Sequence, residues 1–195
     1  MAERRAEVTR KTNETDISLS LNLDGQGKTS VETRIGFLDH LLDALLRHAR
    51  FDAELKCDGD VEVDDHHSAE DSALVLGEAI DKALGDRKGI RRFGSAYAPL
   101  DEALARAVVD LSGRPFAEVN LGLERELLGD FSCENIPHVI ESLAITLRAS
   151  IHVDVIRAKN DHHRAEAAFK ALALALRQAV ERDGTDLIPS TKGVL

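Results

Sequence analysis

A chain of 195 residues suits one domain or two small, closely packed halves, and with 43% hydrophobic residues it can bury a real core. It has no Trp, one Tyr and six Phe, so that core is mostly aliphatic. A formal net charge of −10 excludes a general nucleic-acid binder, which needs a broad basic surface, but leaves room for a small phosphorylated substrate. The opening MAERRAEVTR holds no apolar secretory core, and no run approaches the roughly 18 apolar residues of a membrane span. Cys57 and Cys133 lack metal-type spacing, so a reduced, cytoplasmic setting is expected.

In chain order, Ile17, Leu19, Leu21 and Leu23 alternate with polar residues, DGQGK supplies a turn, and Val31 to Ile35 extends again, which together read as a β-hairpin. Leu38 to Ala49 places apolar residues at helical spacing. FDAELKCDG and VEVDD read as extended runs, followed by a long helix near Ser68 to Leu84. GDRKGIRRFGSAYAP, rich in Gly and basic residues, reads as the link between halves. ALARAVVDLS, the turn Gly113-Arg114-Pro115 and FAEVNLGLE form a second expected hairpin, and a helix from Pro137 to Ala149 follows, opened by its proline. IHVDVIRA extends, a long helix runs near His163 to Val180, and TDLIPSTKGVL reads as a tail. The inferred order is ββα, one or two strands, then α, twice over. It predicts an α+β fold over 1–195, internally duplicated at about 1–88 and 89–195, each half a mainly antiparallel sheet with two helices on one face.

The histidines follow the same duplication. His40 precedes the pair His66-His67, with Glu70 after it in HHSAE; His138 precedes His162-His163, with Glu166 after it in HHRAE. The intervals are 26 and 24 residues, and the two dyads start 96 residues apart. At a helix start, positions i, i+3 and i+4 share a face, so each Glu can join a His of its dyad on one metal. Adjacent histidines diverge on a helix, so each dyad more readily serves two metals than one. Six His and two Glu suit a divalent Mn, Fe, Ni or Zn ion. Two related sets, one from each half, would give four ligands per ion and leave about two octahedral positions for water or substrate. His48 and His152 fall outside the repeat and read as ordinary polar residues. A two-metal hydrolase and a metal-storing shell are the competing functions; HExxH, GxSxG and Walker motifs are absent.

Seven segments then resemble one family: RKTNET (10–15), GFLDHLLDALLRHARFD (36–52), DDHHSAEDSALVLGEA (64–79), GDRKGIRRFGSAYAPLDEAL (85–104), VDLSGRP (109–115), NDHHRAEAAFKALALALRQA (160–179) and IPSTKGVL (188–195). The chain resembles the imidazoleglycerol-phosphate dehydratases of histidine biosynthesis, in their monofunctional form, with Ser68 where Thr is commoner. The resemblance implies a ribosomal protein S5 domain 2-like fold and a hydro-lyase that converts D-erythro-imidazole-glycerol phosphate to imidazole-acetol phosphate and water, through a metal-stabilised imidazolate. It implies two manganese ions on His40, His66, His67, Glu70, His138, His162, His163 and Glu166, and a 24-subunit homo-oligomer with sites at subunit interfaces. It also implies Glu14 as the acid/base, and Arg92, Arg114, Lys170, Ser190 and Lys192 as phosphate ligands, with Arg91 able to exchange with Arg92. By composition alone, Glu14 is an exposed carboxylate.

Overall fold

Arg5–Lys11 (β1) turns at residues 12–14 into Thr15–Asn22 (β2), and the two pair antiparallel from Arg5↔Asn22 to Lys11↔Asp16. The computed structural model describes residues 3–193 and 195; Met1, Ala2 and Val194, the last within the IPSTKGVL motif, lie outside the described residues. Thr29–Glu32 (β3), Gly36–Ala49 (α1), Asp52–Gly59 (β4) and His66–Leu84 (α2) complete the first half. The second half repeats this order: Phe93–Leu100 (β5), Ala103–Asp110 (β6), Phe116–Asn120 (β7), a small hairpin of Leu127–Leu128 (β8) and Phe131–Ser132 (β9), Asn135–Leu147 (α3), Ser150–Arg157 (β10) and Asp161–Ala179 (α4). The sheet orders, β1-β2-β4-β3 and β5-β6-β10-β7, are the same topology twice, with β8 and β9 as an addition to the second copy.

Both expected hairpins are corrected by this pairing. β3 lies parallel to β4 rather than antiparallel to β2, and β7 lies parallel to β10 rather than beside β6. Asp52, the first residue of β4, accepts the Gln26 and Lys28 N–H groups at 2.8 and 2.9 Å, so the DGQGK segment is carried across to β4. Alternation along a strand reports which face is buried, not which neighbour it takes. VEVDD is a turn and not a strand: Val63 N–H bonds to Asp60 C=O and its side chain is exposed.

Besides the short β8 and β9, two longer strands fall where none was expected. β1 buries one apolar residue, Val8, among charged neighbours. β5 occupies the second part of the expected link, and its inward positions are Gly94, Ala96 and Ala98. They are small because α4 lies on them: a Cβ on Gly94 would stand 1.9 Å from Ala175 C=O. A strand selected for thinness gives little hydrophobic signal.

α2 packs on β1 and β2, and α4 packs on β5 and β6. Helix-to-helix packing crosses the halves, α1 against α4 and α2 against α3. Gly77 marks the closest approach of the second pair, since a Cβ there would meet Thr146 Oγ1 at 2.2 Å and Leu143 C=O at 2.6 Å. The resulting core is Leu-, Ile- and Ala-rich, with α4 alone burying Ala165, Ala167, Ala168, Ala171, Ala173, Ala175 and Ala179. Among the described residues, no helix is long and apolar enough to cross a membrane.

Candidate metal centre and active site

All four helices that carry the candidate ligands present their first turns to the candidate site, and the starts of α1, α2 and α4 are each held by a polar side chain. Asp130, beside the added hairpin, accepts N–H from Gly36 and Phe37 at 2.8 and 3.0 Å and so caps α1 from the opposite half. Asp64 accepts the His66 N–H, and Asn160 accepts those of His162 and His163. These caps satisfy free helical N–H groups and fix where the first side chains project.

Two three-residue clusters result, each with its possible ligand atoms within 4.8 Å of one another: His40, His162 and Glu166, and His66, Glu70 and His138. Each mixes the halves. His40 on α1 faces the dyad helix of the second half, and His138 on α3 faces that of the first, so the expected grouping by half is corrected. The cause is the packing of α1 on α4 and α2 on α3, which places each lone His beside the other half's dyad.

In the first cluster, His40 Nε2 and His162 Nε2 lie 3.0 and 3.1 Å from the same oxygen, Glu166 Oε2, while Lys170 Nζ lies 2.7 Å from Oε1. Burial alone would raise the Glu166 carboxyl, but hydrogen bonds and charge from Lys170 and His40 outweigh it and hold it at about 2. In the second cluster, His66 Nε2 and His138 Nε2 stand 3.9 and 3.6 Å from the Glu70 carboxylate, and the two imidazoles stack at 4.9 Å. Among the described residues, His138 Nε2 is buried without a hydrogen-bond partner. A buried imidazole nitrogen left open beside a carboxylate and a second imidazole fits a divalent-ion ligand set.

His67 and His163 belong to neither cluster. His67 Nδ1 lies 3.1 Å from Asp60, and His163 Nδ1 lies 2.7 Å from Glu102. The hydrogen bond to Asp60 raises the His67 pKa, and that to Glu102 raises the His163 pKa. Glu102 is held down to about 2 by His163 and then by backbone N–H donors. His66 Nδ1 bonds to Asn135 Oδ1 at 3.0 Å, and Asn135 Nδ2 donates to Asp65.

Glu14 sits in the β1–β2 turn, with Oε1 3.7 Å from His67 Nε2. Thr12 Oγ1 accepts the Glu14 and Thr15 N–H groups, and Asp60 N–H bonds to Glu14 C=O. Buried Asp71, the residue after Glu70, ties this turn to α2 through Thr15 Oγ1 and Arg10.

The five expected phosphate ligands divide. Lys170 stands beside the first cluster. Arg92 lies at the opposite end of α4, its N–H bonded to Ala179 C=O, and 13 residues of helix separate Glu166 from Ala179, or about 20 Å. Arg92 is paired through two nitrogens with Asp110 and donates to Pro189 C=O at 2.8 Å, which brings Ser190 to the same end. Arg114 is there too, since Leu195 lies against Gly113, and exposed Lys192 follows Ser190 in the same tail. Arg91 pairs with Glu181 instead.

The family model for imidazoleglycerol-phosphate dehydratase matches residues 33–176. The chain is 49% identical over 220 residues to the imidazoleglycerol-phosphate dehydratase of Saccharomyces cerevisiae, covering 100% of both chains. It is 60% identical over 192 residues to that of Phytophthora nicotianae, covering 98% of this chain and 42% of that longer protein. The chain belongs to the imidazoleglycerol-phosphate dehydratase family. Members of this family with similar solved structures include the Staphylococcus aureus enzyme, at a TM-score of 0.82 and 34% identity over 91% of this chain and 99% of that one. Another is the Pyrococcus furiosus enzyme in complex with (S)-C348, at 0.83 and 35% over 96% and 100%. The chain is thus a hydro-lyase of histidine biosynthesis.

Sequence reading of this dehydratase passed over Asp60, Asp71, Glu102 and Asn135. Asp71 directly follows Glu70 of the first His-His-x-x-Glu motif and could have been noticed; Glu102 is 61 residues from its histidine, and only the fold brings them together.

Proposed function

We propose that the chain converts D-erythro-imidazole-glycerol phosphate to imidazole-acetol phosphate and water, using two divalent ions, manganese in the first instance. The observation that carries this reading is the division of the His and Glu donors into two three-residue clusters with His138 Nε2 buried and open. Bound there, divalent ions supply Lewis acidity that favours the anionic form of the substrate's imidazole.

The chain's own groups do the rest. The hydroxyl on the carbon beside the ring departs as water with an added proton, the neighbouring carbon loses its proton, and the enol so formed becomes the ketone. Glu14, fixed by Thr12 and by the tie of its turn to Asp71, is the group that moves these protons. Lys170 and the guanidinium groups of Arg92 and Arg114, with Ser190 and Lys192, take the phosphate.

Two features support a site shared between copies, as in a 24-subunit assembly. His67 and His163 belong to neither cluster of their own chain, and Arg92, Arg114, Ser190 and Lys192 lie at the far end of α4 from Glu166. Neighbouring copies would bring them together. Free, buried Cys57 and Cys133 suit the reduced cytoplasmic setting included in this reading.

The test is turnover of imidazole-glycerol phosphate by manganese-loaded protein beside a chelated control. Metal-dependent release of imidazole-acetol phosphate is expected. Phosphate-ester hydrolysis without dehydration, or tight metal binding with no turnover, would replace this reading with one of its two rivals.

A further inference from the structure

The two halves place a glutamate in the same hairpin turn, Glu14 between β1 and β2 and Glu102 between β5 and β6. Each approaches the second histidine of its half's dyad, but at different nitrogens. Glu14 stands off the Nε2 edge of His67, whereas Glu102 bonds to the Nδ1 edge of His163. In the first half the connection between β4 and α2 spans 60–65 and supplies Asp60 to His67 Nδ1. In the second half the connection between β10 and α4 is only 158–160, Ala-Lys-Asn, with no carboxylate to offer.

We infer that Glu102 is a positioning residue that fixes His163 as a metal donor through Nε2, the task Asp60 performs for His67, which leaves Glu14 free for proton transfer. The inference rests on the metal reading above. An ionised carboxylate only accepts, so the imidazole nitrogen facing it must carry the hydrogen, and the lone pair is left on Nε2. Glu102 is fixed in this pose, because its Oε1 also accepts the N–H groups of Lys159 and Asn160 at 3.1 and 3.0 Å while Oε2 takes His163. Asp60 is less constrained: among the described residues, both its oxygens serve His67 Nδ1, at 3.1 and 3.2 Å.

That difference makes the amide substitutions informative. In Glu102→Gln the single amide oxygen stays with the two backbone donors, so the NH2 group faces Nδ1, and His163 must carry its hydrogen on Nε2. In Asp60→Asn the amide can turn its oxygen to Nδ1 and keep the donor tautomer. The assay is Mn2+ titration of the full-length protein, read by the signal of free Mn2+ in electron paramagnetic resonance, with circular dichroism to check folding. Wild type is expected to take two ions per chain. Glu102→Gln should weaken one of them about 10- to 100-fold, the usual cost of losing a histidine's outer partner. Asp60→Asn should lose less than Glu102→Gln, and Glu14→Gln should bind both ions as wild type does. Unchanged Mn2+ affinity in folded Glu102→Gln overturns the positioning role and reduces Glu102 to a tie for residues 159–160. Failure of wild type to bind Mn2+ overturns the metal reading, and this inference with it.

Discussion

Around Glu166, two imidazoles approach one carboxylate oxygen at 3.0 and 3.1 Å and Lys170 holds the other; around Glu70 the imidazoles stand off at 3.9 and 3.6 Å, and Leu74 occupies the place equivalent to Lys170. The residue after each glutamate differs as well. Asp71 reaches out to hold the Glu14 turn, whereas Ala167 is buried in the core. Duplication has therefore kept the donors in both copies and let the positions one and four residues beyond each glutamate diverge. One copy uses them to hold the Glu14 turn, the other to place the Lys170 ammonium against its glutamate.

Removal of either glutamate should have the largest effect. Glu166→Ala and Glu70→Ala should each cut turnover by about 10³-fold or more, since a bound ion contributes several kcal/mol to the transition state. If the two copies are equal partners in chemistry, metal analysis will show one ion lost from each variant; loss of both ions from one variant alone would make the copies unequal. Glu14→Gln comes next, with a fall of about 10²-fold in kcat and unchanged metal content. Near-normal turnover there would remove the proton-transfer task from the first copy.

Arg114→Ala should raise KM by about 10-fold with metal content unchanged, the loss of one or two charge-assisted hydrogen bonds. Arg92→Ala should do the same and also loosen the tail, because Arg92 holds Pro189 as well as Asp110. Unchanged KM in both would exclude the far end of α4 from phosphate binding.

The smallest effect concerns acid. Glu166 is held at about 2 against an ordinary 4.5, so its pairing stabilises metal-free protein fully above about pH 4.5, and that contribution fades as pH falls toward 2. Thermal melts between pH 3 and 7 should show a shallower acid loss in Glu166→Gln than in wild type; parallel curves would mean that the pairing adds nothing to folding.

The helices and the His-His-x-x-Glu spacing that two of them carry were legible in the sequence because a 3.6-residue period and a local motif are both properties of one segment. All four expected helices are found within three residues of their expected starts and ends. Strand neighbours were not legible, since pairing depends on where a crossover lands: Asp52 capturing 26–28 is visible only in three dimensions. β5 was hidden by the thinness that lets α4 lie on Gly94. The mixing of halves in each cluster was hidden for the same reason, because spacing along a helix says which face a donor occupies and nothing about the helix opposite. Asp60 and Glu102, reached from turns, carry no motif at all.

Anomalous diffraction at the manganese edge, from crystals grown with Mn2+, tests the cross-half clusters most directly. Two peaks per chain are expected, one at bonding distance from His40, His162 and Glu166 and one from His66, Glu70 and His138. Peaks that join His40 to His66 and Glu70, or His138 to His162 and Glu166, or no peak near either glutamate, would contradict it.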